Sequence, residues 1–369
     1  MSNRSEAMHA FLKQAGWNGA TVTPLAGDAS TRRYFRVATS GRKAMLMDQP
    51  PHAETPVAPI DATPEQRHKL GYIAVARLAG ADVGRFVAVA NYLHAQGLTA
   101  PKIYAADIPN GFALLEDLGD DLYADVLEKG GNERELYLSA ADVLAKLHEN
   151  PAPKMLDPRT PLLDYDETAQ IGEIDLMTEW FMPMALGRAA TDDEVREHRA
   201  LWKAALDKTR AHPPVLVHRD YHAQNLLWLP HKSDHTRVGI LDFQDAVAGS
   251  RAQDLMHLVQ DARRDVSPEV TDATIARYLE TSRARGYALD KEQFGAEMAT
   301  ISGQRLARIA GVFARLYKRD NKPRYLDYLP RVWGHLNKDL EHPALAPLKT
   351  WYDRHIPKSV RSKPQQAPL

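Results

Sequence analysis

The residues that decide the fold lie in two short stretches, HRDYHAQN at residues 218–225 and DFQ at residues 242–244. A short apolar run precedes each of them, at residues 215–217 and 238–241, and a third run at residues 226–229 lies between them. Apolar runs of this length, bounded by turn residues, predict short strands. The pattern therefore predicts small strands, two of them forming a hairpin, with polar side chains on the loops at their ends.

This spacing directs three oxygen-bearing side chains toward one cavity. Asp220 follows the first predicted strand, where a loop can aim its carboxylate at an incoming hydroxyl group. Asn225 enters the second strand and Asp242 ends the third, so an amide oxygen and a carboxylate arrive side by side. Both are hard oxygen ligands, which suit a Mg²⁺ ion that bridges nucleotide phosphates. The spacing is that of a kinase catalytic loop, with Asp220 as the base that accepts the hydroxyl proton.

Other polar residues near these stretches have more than one interpretation. His218 is expected to brace the loop by hydrogen bonds, and Asp254 is expected to connect the start of a helix at residues 252–257 to it. A different hypothesis makes His218, Asp220 and His222 the ligands of a hydrolase metal centre, because alternate residues of a strand share one face. That hypothesis needs further clustered ligands, and the other histidines are scattered along the sequence.

The first third of the chain predicts an antiparallel sheet with one or two helices. Apolar residues with helical spacing near residues 8–15 and 86–93 indicate two amphipathic helices, the second of which stops at Gly97. Five prolines within residues 48–65 are expected to exclude regular structure there. The predicted strands are residues 21–25, 33–37, 44–47, 102–106 and 111–117.

Helices dominate the predicted structure of the remaining chain. They are expected at residues 136–148, after the capping-box pair Thr191 and Glu194, after Ser267, and across residues 290–318. Most of these segments carry an apolar stripe with helical period, as expected of helices that pack around a common core.

The predicted fold is of the α+β class with two lobes. Residues 1–117 form the sheet lobe, which is expected to bind nucleotide, and residues 118–356 form a larger helical lobe with the catalytic loop and the substrate site. The acidic stretch at residues 116–121 is interpreted as the hinge. Residues 357–369 are polar and contain proline, which predicts a disordered tail.

Two further segments are candidates for nucleotide binding. The small residues GDAST at residues 27–31 allow backbone N–H groups to approach phosphate oxygens. The apolar strand FALL at residues 112–115 leads into the hinge, where backbone groups can read an adenine edge. A plain hairpin turn and a buried core strand would give the same two patterns. The candidate contacts are Ser30, Thr31, Glu116, Asp117 and Leu118.

The composition excludes several classes of function. The chain has 369 residues, 47 Lys and Arg against 48 Asp and Glu, and a net charge of −1. Such a balance gives no global field for nucleic acid or an anionic membrane. The absence of cysteine excludes disulfides, thiolate metal sites and thiol nucleophiles. With no apolar run long enough to span a bilayer and no signal-peptide pattern, a cytoplasmic location is expected.

Together, these residues resemble the aminoglycoside phosphotransferase and choline kinase branch of the protein-kinase-like fold. The likeness extends from about residue 20 to about residue 340. Within this branch, four segments look most like the anomeric N-acetylmuramate/N-acetylglucosamine kinases of bacterial cell-wall recycling. These segments are residues 27–37, 46–51, 114–121 and 242–247.

The resemblance implies an activity and a set of site residues. The activity is ATP- and Mg²⁺-dependent phosphorylation of the C1 hydroxyl of an amino sugar, which gives a sugar 1-phosphate for a UDP-linked wall precursor. It implies that Asp220 is catalytic, that Asn225 and Asp242 hold the metal ion, and that Ser30 and residues 116–118 contact the nucleotide. Candidate contacts to the sugar, from position alone, are Asp245, Glu179 and Trp180.

This sequence departs from the kinase pattern in two places. Met47 lies where kinases usually have a phosphate-binding lysine, and the helix at residues 86–96 has no acidic residue for the usual ion pair. The candidates for the missing positive charge are Arg32, Arg33 and Lys43.

Two other functions stay open from the sequence. An aminoglycoside, choline-like or other small alcohol is an alternative substrate, and the acidic residues 116–121 are compatible with a cationic one. A nucleotide-binding pseudokinase would explain the missing lysine and its missing partner, although Asp220, Asn225 and Asp242 argue against it.

Overall fold

The computed structural model describes residues 2–25, 31–51, 54–210 and 212–361. The described chain divides into two compact units. The first contains the chain up to residue 147 together with residues 153–163 and 218–247, and the second contains residues 148–152, 164–217 and the chain from residue 248 on.

The first unit contains a five-stranded antiparallel sheet with the strand order β1-β2-β3-β5-β4. The predicted antiparallel sheet is therefore confirmed, and each predicted strand is present. The strands are β1 (Thr21–Pro24), β2 (Arg33–Thr39), β3 (Arg42–Asp48), β4 (Ile103–Asp107) and β5 (Phe112–Leu115).

One face of this sheet packs against the N-terminal helix α1 (Ser2–Gln14). Val37, Leu46 and Leu114 are fully buried on this face, beside Phe11 of the helix. Side chains alternate between the two faces of a strand, so Tyr34, Arg36 and Met45 lie on the opposite face. The helix therefore covers one side of the sheet, and the other side is left for the cavity described below.

The first unit has five further helices. The segment predicted to lack regular structure up to residue 65 ends in α2, which starts at Pro64 with a complete capping box between Thr63 and Gln66. Proline is tolerated in the first turn of a helix, because the N–H group it lacks has no partner there. The helices are α2 (Pro64–Leu70), α3 (Tyr72–Val75), α4 (Val83–Ala95), α5 (Tyr123–Glu128) and α6 (Glu133–Leu147).

The predicted hairpin between residues 218–225 and 242–244 is also present in the first unit. Strands β7 (Leu226–Trp228) and β8 (Val238–Ile240) pair antiparallel, with Leu226 opposite Ile240. A single turn of 3₁₀ helix, Ala223–Asn225, leads into β7. The hairpin holds the end of one stretch beside the start of the other.

The second unit is mainly helical and is built around one long helix. The predicted helix across residues 290–318 is α12 (Lys291–Lys318), and the capping box at Thr191 starts α9 (Asp192–Asp207) as predicted. Short strands β6 (Val215–Val217) and β9 (Val247–Gly249) accompany the helices. The other helices are α7 (Glu167–Leu176), α8 (Met182–Leu186), α10 (Ala252–Val259), α11 (Pro268–Ala284), α13 (Leu329–Leu340), α14 (Ala346–His355) and α15 (Lys358–Arg361).

The core of the second unit depends on close approach between α12 and α7. A Cβ atom on Gly311 of α12 would lie 2.4 Å from the carbonyl carbon of Leu176. Only glycine permits this distance, because real side-chain carbons do not come so near to backbone atoms. Buried aromatic rings, among them Phe181 and Trp333 at 5.1 Å between centroids, fill the space beside this contact.

The prediction of a disordered tail from residue 357 was wrong for its first part. Residues 358–361 form α15, and Arg361 is buried, with its guanidinium 2.9 Å from the carbonyl oxygen of Ile356 and 2.7 Å from the carboxylate of Asp353. The polar composition misled the prediction because this arginine is neutralised inside the fold. Residues 362–369 lie outside the described residues.

The two compact units do not follow the predicted boundary at residue 117, since residues 118–147 and 218–247 group with the sheet. A functional division into a nucleotide lobe and a substrate lobe stays a prediction. Across the described part of the chain, none of the helices combines the length and the apolar composition that a bilayer crossing requires.

Candidate active site

A cavity of about 490 Å³ opens in the first unit, within the size range of small-molecule sites. Its walls come from the free face of the sheet, the hinge after β5 and the β7–β8 hairpin. The predicted site residues that line it are Glu116, Asp117, Leu118, Asn225 and Asp242. The structure thus brings the predicted nucleotide contacts and the predicted metal ligands to one cavity.

Asn225 is held by hydrogen bonds on both its backbone and its side chain. Its carbonyl oxygen accepts from the N–H of Leu241 at 2.9 Å, which ties the loop to the end of β8. Its side-chain Nδ2 donates to the carbonyl oxygen of Asp220 at 2.9 Å. Because this acceptor fixes which end of the amide carries hydrogen, the Oδ1 atom is the one left for a metal ion.

Asp242 follows β8 with a left-handed backbone, φ 57°. Aspartate tolerates this conformation better than most residues. Its Oδ1 accepts hydrogen bonds from Arg32 and from Gln244, both at 3.0 Å, and 44% of its side chain is exposed. A half-exposed carboxylate and a free amide oxygen in one cavity form a hard oxygen donor set, which fits Mg²⁺.

His218 uses both ring nitrogens to brace the catalytic loop. Nε2 donates to the carbonyl oxygen of Leu241 at 2.8 Å, and Nδ1 accepts the N–H of Asp220 at 3.2 Å. This pair of partners requires the tautomer with the proton on Nε2. With both nitrogens occupied, His218 is not available as a metal ligand. Among the described residues, no group of three His, Asp or Glu side chains is placed to hold a metal ion. The two occupied ring nitrogens of His218 argue against the hydrolase hypothesis, which needs this residue as a ligand.

Asp220 itself does not line this cavity. It is partly buried and lies at the cavity's edge, with its carbonyl oxygen bound to the cavity-lining Asn225. The loop that carries it is anchored below by Tyr221, whose hydroxyl donates to the carbonyl oxygen of Ala140 in α6 at 3.0 Å. Asp220 therefore lies on a braced loop, next to the cavity but not among the residues that line it.

A turn that the sequence did not indicate connects the stretch at residues 218–225 with the segment at residues 242–247. We call residues 76–79 the bridging turn. Arg219, the residue before Asp220, donates from Nη1 to the carbonyl oxygen of Ala76 at 2.9 Å. At the other end of the turn, the N–H of Ala79 donates to Oδ1 of Asp245 at 2.6 Å. The bridging turn thus touches both stretches, and Asp245, predicted as a sugar contact, has one carboxylate oxygen engaged in this role.

Arg85 of α4 strengthens the same connection. Its guanidinium donates to the carbonyl oxygen of Arg77 in the bridging turn at 3.2 Å and to that of Ala246 at 2.6 Å. Burial lowers the pKa of Arg85 to about 10, so the side chain stays charged at neutral pH. The Phe86 ring lies 4.8 Å from that of Phe243. The helix that lacks the usual acidic residue therefore holds the segment after Asp242 through an arginine and an aromatic contact.

The hinge presents a defined backbone edge to the cavity. The N–H of Glu116 already donates to the carbonyl oxygen of Lys102 at 2.8 Å, so that group is not available to a ligand. Beside it, Arg36 binds the carboxylates of Asp117 at 2.8 Å and Asp120 at 2.7 Å. The hydrogen bond from Arg36 lowers the pKa of Asp120 below its usual value. Arg36 thus neutralises much of the acidic cluster that the sequence shows in the hinge.

The remaining predicted residues lie elsewhere. Thr31 does not line the cavity, and its hydroxyl is bound to Glu54 at 2.5 Å. Ser30 and the rest of residues 27–30 lie outside the described residues. In the second unit, Asp254 is fully buried in α10 with its carboxylate 3.7 Å from Nε2 of His148.

The two other suggested sugar contacts belong to the second unit as well. Trp180 packs against the hydrophobic core of that unit, and Glu179 is exposed beside it. Both lie in a π-helical turn, Met177–Phe181. The packing of Trp180 gives it a structural role.

The sequence of this chain is similar to those of known phosphotransferases and kinases. The sequence model of the phosphotransferase enzyme family matches residues 21–289. An N-acetylmuramate/N-acetylglucosamine kinase of Caulobacter vibrioides is 46% identical, in an alignment that covers 98% of this chain and 99% of that protein. The kinase of the same name from Pseudomonas aeruginosa is 32% identical, with 90% and 89% covered.

Solved structures show the fold. A microcompartment-associated aminopropanol kinase has a TM-score of 0.60 at 13% identity, with 91% of this chain and 98% of that chain covered. An ADP-bound aminoglycoside phosphotransferase has a TM-score of 0.53 at 16% identity, with 93% and 97% covered. The predicted protein-kinase-like fold is confirmed. The chain belongs to the phosphotransferase enzyme family.

Proposed function

We propose that this chain is an ATP-dependent kinase that phosphorylates the anomeric hydroxyl of N-acetylmuramate and N-acetylglucosamine and so returns wall sugars to precursor synthesis. The observation that carries the proposal is the 46% identity over nearly the full length to a kinase of that name, together with an intact Asp220, Asn225 and Asp242. Because ATP is the donor, we place the reaction in the cytoplasm.

The nucleotide would occupy the cavity of the first unit. Of the hinge groups, we assign the carbonyl oxygen of Glu116 and the N–H of Leu118 to the adenine edge, because the N–H of Glu116 already donates to the carbonyl oxygen of Lys102. Leu115 and Leu118 offer apolar surface to the ring. Asn225 and Asp242 would hold Mg²⁺ at the other end, and the ion would neutralise phosphate charge. Ser30 and Thr31 remain proposed phosphate contacts from the sequence alone.

The chain's own residues supply the acid–base chemistry. Asp220 orients the anomeric hydroxyl and accepts its proton as the oxygen forms a bond to the γ-phosphorus and the bond from that phosphorus to ADP breaks. An anomeric hydroxyl is more acidic than an ordinary alcohol, so a carboxylate is a sufficient base. Orientation is the larger contribution, and it depends on a rigid loop. His218 and Arg219 provide that rigidity through their hydrogen bonds.

The electrostatics of the hinge do not favour a cationic substrate. The acidic residues that suggested an aminoglycoside or choline are held by Arg36, and the pair Asp117 and Asp120 shares one guanidinium. The pseudokinase hypothesis is not favoured either, because the proposed base and both proposed metal ligands are present and braced.

One assay tests the proposal. The purified full chain is supplied with Mg·ATP and, separately, with N-acetylglucosamine, N-acetylmuramate, choline or an aminoglycoside, and phosphorus NMR identifies the phosphorylated position. We expect a C1 phosphate on the amino sugars only. Asp220→Asn should abolish turnover and retain nucleotide binding, whereas Asp207→Asn, an exposed aspartate of α9, should behave as the wild type. Turnover of choline alone, or phosphate at another sugar position, would refute the assignment.

A further inference from the structure

The third strand gives the phosphate site no positive charge. In β3, the side chains that share the cavity face of the sheet include Met45 and Met47, and Met47 is only 1% exposed. It is packed between β2 and β5, opposite Tyr34 and Ala113. A lysine at this position would place its charged amine in the buried space that the apolar side chain of Met47 fills. The positive charge that phosphate binding requires must therefore come from another element.

Two of the three candidate cations, Arg33 and Lys43, lie outside the cavity. Arg33 is 55% exposed and binds the carboxylate of Asp48 at 2.5 Å, at a site that Arg4 of α1 shares. Lys43 is exposed, and its charge contributes to lowering the pKa of Asp120, after the larger effect of the hydrogen bond from Arg36. Neither side chain lines the cavity.

Arg32 has the required position. Among the described residues that line the cavity it is the one Lys or Arg. Its guanidinium is 11% exposed, and Nη1 lies 3.0 Å from Oδ1 of Asp242. It therefore lies directly against the carboxylate that we assign to the metal ion. A guanidinium is always charged, and its planar fork suits phosphate oxygens.

The ion pair with Asp242 has a consequence for nucleotide binding. Without Mg²⁺, Arg32 is the cation that compensates the Asp242 carboxylate. A divalent ion bound to the same carboxylate would repel the guanidinium, and the phosphates that arrive with the ion would attract it. The exchange keeps every charge paired, which is what a buried arginine and a metal-binding carboxylate both require.

We propose that Arg32 is the phosphate-binding cation of this kinase, and that it moves from Asp242 to the nucleotide phosphates when Mg·nucleotide binds. The proposal rests on the proposed function, since it assumes that the cavity takes Mg·ATP. It also makes Arg32 a competitor of the metal ion in the free protein. Arg32 should therefore strengthen the binding of Mg·nucleotide and weaken the binding of the metal ion alone.

The test compares Arg32→Gln and Arg32→Lys with Arg33→Gln, a neighbouring arginine outside the cavity, by titration calorimetry on the full chain. For a non-hydrolysable Mg·ATP analogue we expect Arg32→Gln to weaken binding roughly ten- to hundredfold, the loss expected of one hydrogen bond to a charged group. Adenosine, which has no phosphate, should bind all variants equally. Arg32→Lys should retain part of the affinity because it keeps the charge.

A second measurement uses Mn²⁺ as a spin probe without nucleotide. Removing the competing guanidinium should make Arg32→Gln bind the ion more tightly than the wild type, whereas Arg33→Gln should be unchanged. Unchanged affinity for the analogue in Arg32→Gln would overturn the proposal, as would an equal loss for adenosine. If the wild type binds neither adenosine nor the analogue, the proposed function fails instead, so the two failures are distinguishable. Circular dichroism confirms that each variant is folded.

Discussion

Replacing Arg85 by methionine should weaken both the fold and the nucleotide site. Arg85 is 4% exposed, and its guanidinium bridges the carbonyl oxygens of Arg77 and Ala246. The substitution keeps an unbranched apolar stem and removes the guanidinium. Both oxygens would then lose a charged donor in the interior. Because the first belongs to the bridging turn and the second follows Asp242, the change should also loosen the loop that carries the proposed metal ligand.

The expected size follows from the two contacts. A hydrogen bond from a charged group contributes about 1.5–3 kcal/mol. The bond to Ala246, at 2.6 Å, should lie near the upper end of that range and the bond to Arg77, at 3.2 Å, near the lower end. These contributions are already net of the cost of taking the groups out of water. We therefore expect a loss of about 3–5 kcal/mol in the free energy of unfolding.

Urea unfolding followed by tryptophan fluorescence measures the stability, and calorimetry with Mg·ADP measures the site. Arg85→Lys should lose less, since it keeps the charge and can reach one carbonyl. Arg283→Met, at an exposed position of α11, is the matched control and should not change either quantity. An unfolding free energy of Arg85→Met within about 0.5 kcal/mol of the wild type would refute the energetic argument. A clear loss of stability with unchanged Mg·ADP affinity would refute the positioning role.

Three further predictions concern other parts of the molecule. Gly111→Ala should lower the urea midpoint strongly and Gly41→Ala only moderately, because both glycines have positive φ but only at Gly111 would a Cβ meet a backbone oxygen, at 1.8 Å. Burial raises the pKa of Asp339 to about 6, so the buried charge that destabilises the fold develops as the pH rises from about 4 to 6. In urea unfolding at pH 8, the free energy of unfolding of Asp339→Asn should exceed that of the wild type by up to about 3 kcal/mol. Near pH 3 the two proteins should have the same free energy of unfolding. Arg36→Ala should raise the pKa of Asp120 in NMR titration and weaken Mg·ATP binding most at low salt; affinity that is unchanged at low salt would contradict this electrostatic role of the hinge pair.

Much of the fold was predictable because its signals are local. Strand alternation, the capping pair at Thr191 and Glu194, and the long apolar stripe of α12 involve residues a few positions apart, and each gave an element that the structure contains. Two predictions failed for different reasons. Pro64 starts a helix that the number of prolines argued against. The side chain of Arg361 is buried in α15 and donates to Ile356 and Asp353, contacts that the polar composition of the tail did not indicate.

The proposed site was predictable to the extent that its residues share one motif. The stretches at 218–225 and 242–244 are held together by the β7–β8 hairpin, so Asn225 and Asp242 reach the same cavity as their spacing predicts. The cavity also receives the hinge residues, because β5, which leads into the hinge, is an interior strand of the sheet beside β3. The bridging turn had no such signal, since residues 76–79 show only small and apolar side chains around one arginine.

The order of residues along the chain was enough to propose the chemistry, from a carboxylate, an amide and a second carboxylate at kinase spacing and from the absence of the usual lysine. Which polar groups meet depends on the folded chain, because Arg85 and the carbonyl group of Ala246 are 161 positions apart in the sequence, and Arg32 and Asp242 are 210. The energy of such a pair depends on distance and burial in the folded chain, which no pattern of neighbouring residues encodes. For that reason the three candidate cations looked equal in the sequence, and only the fold separates Arg32 from the other two.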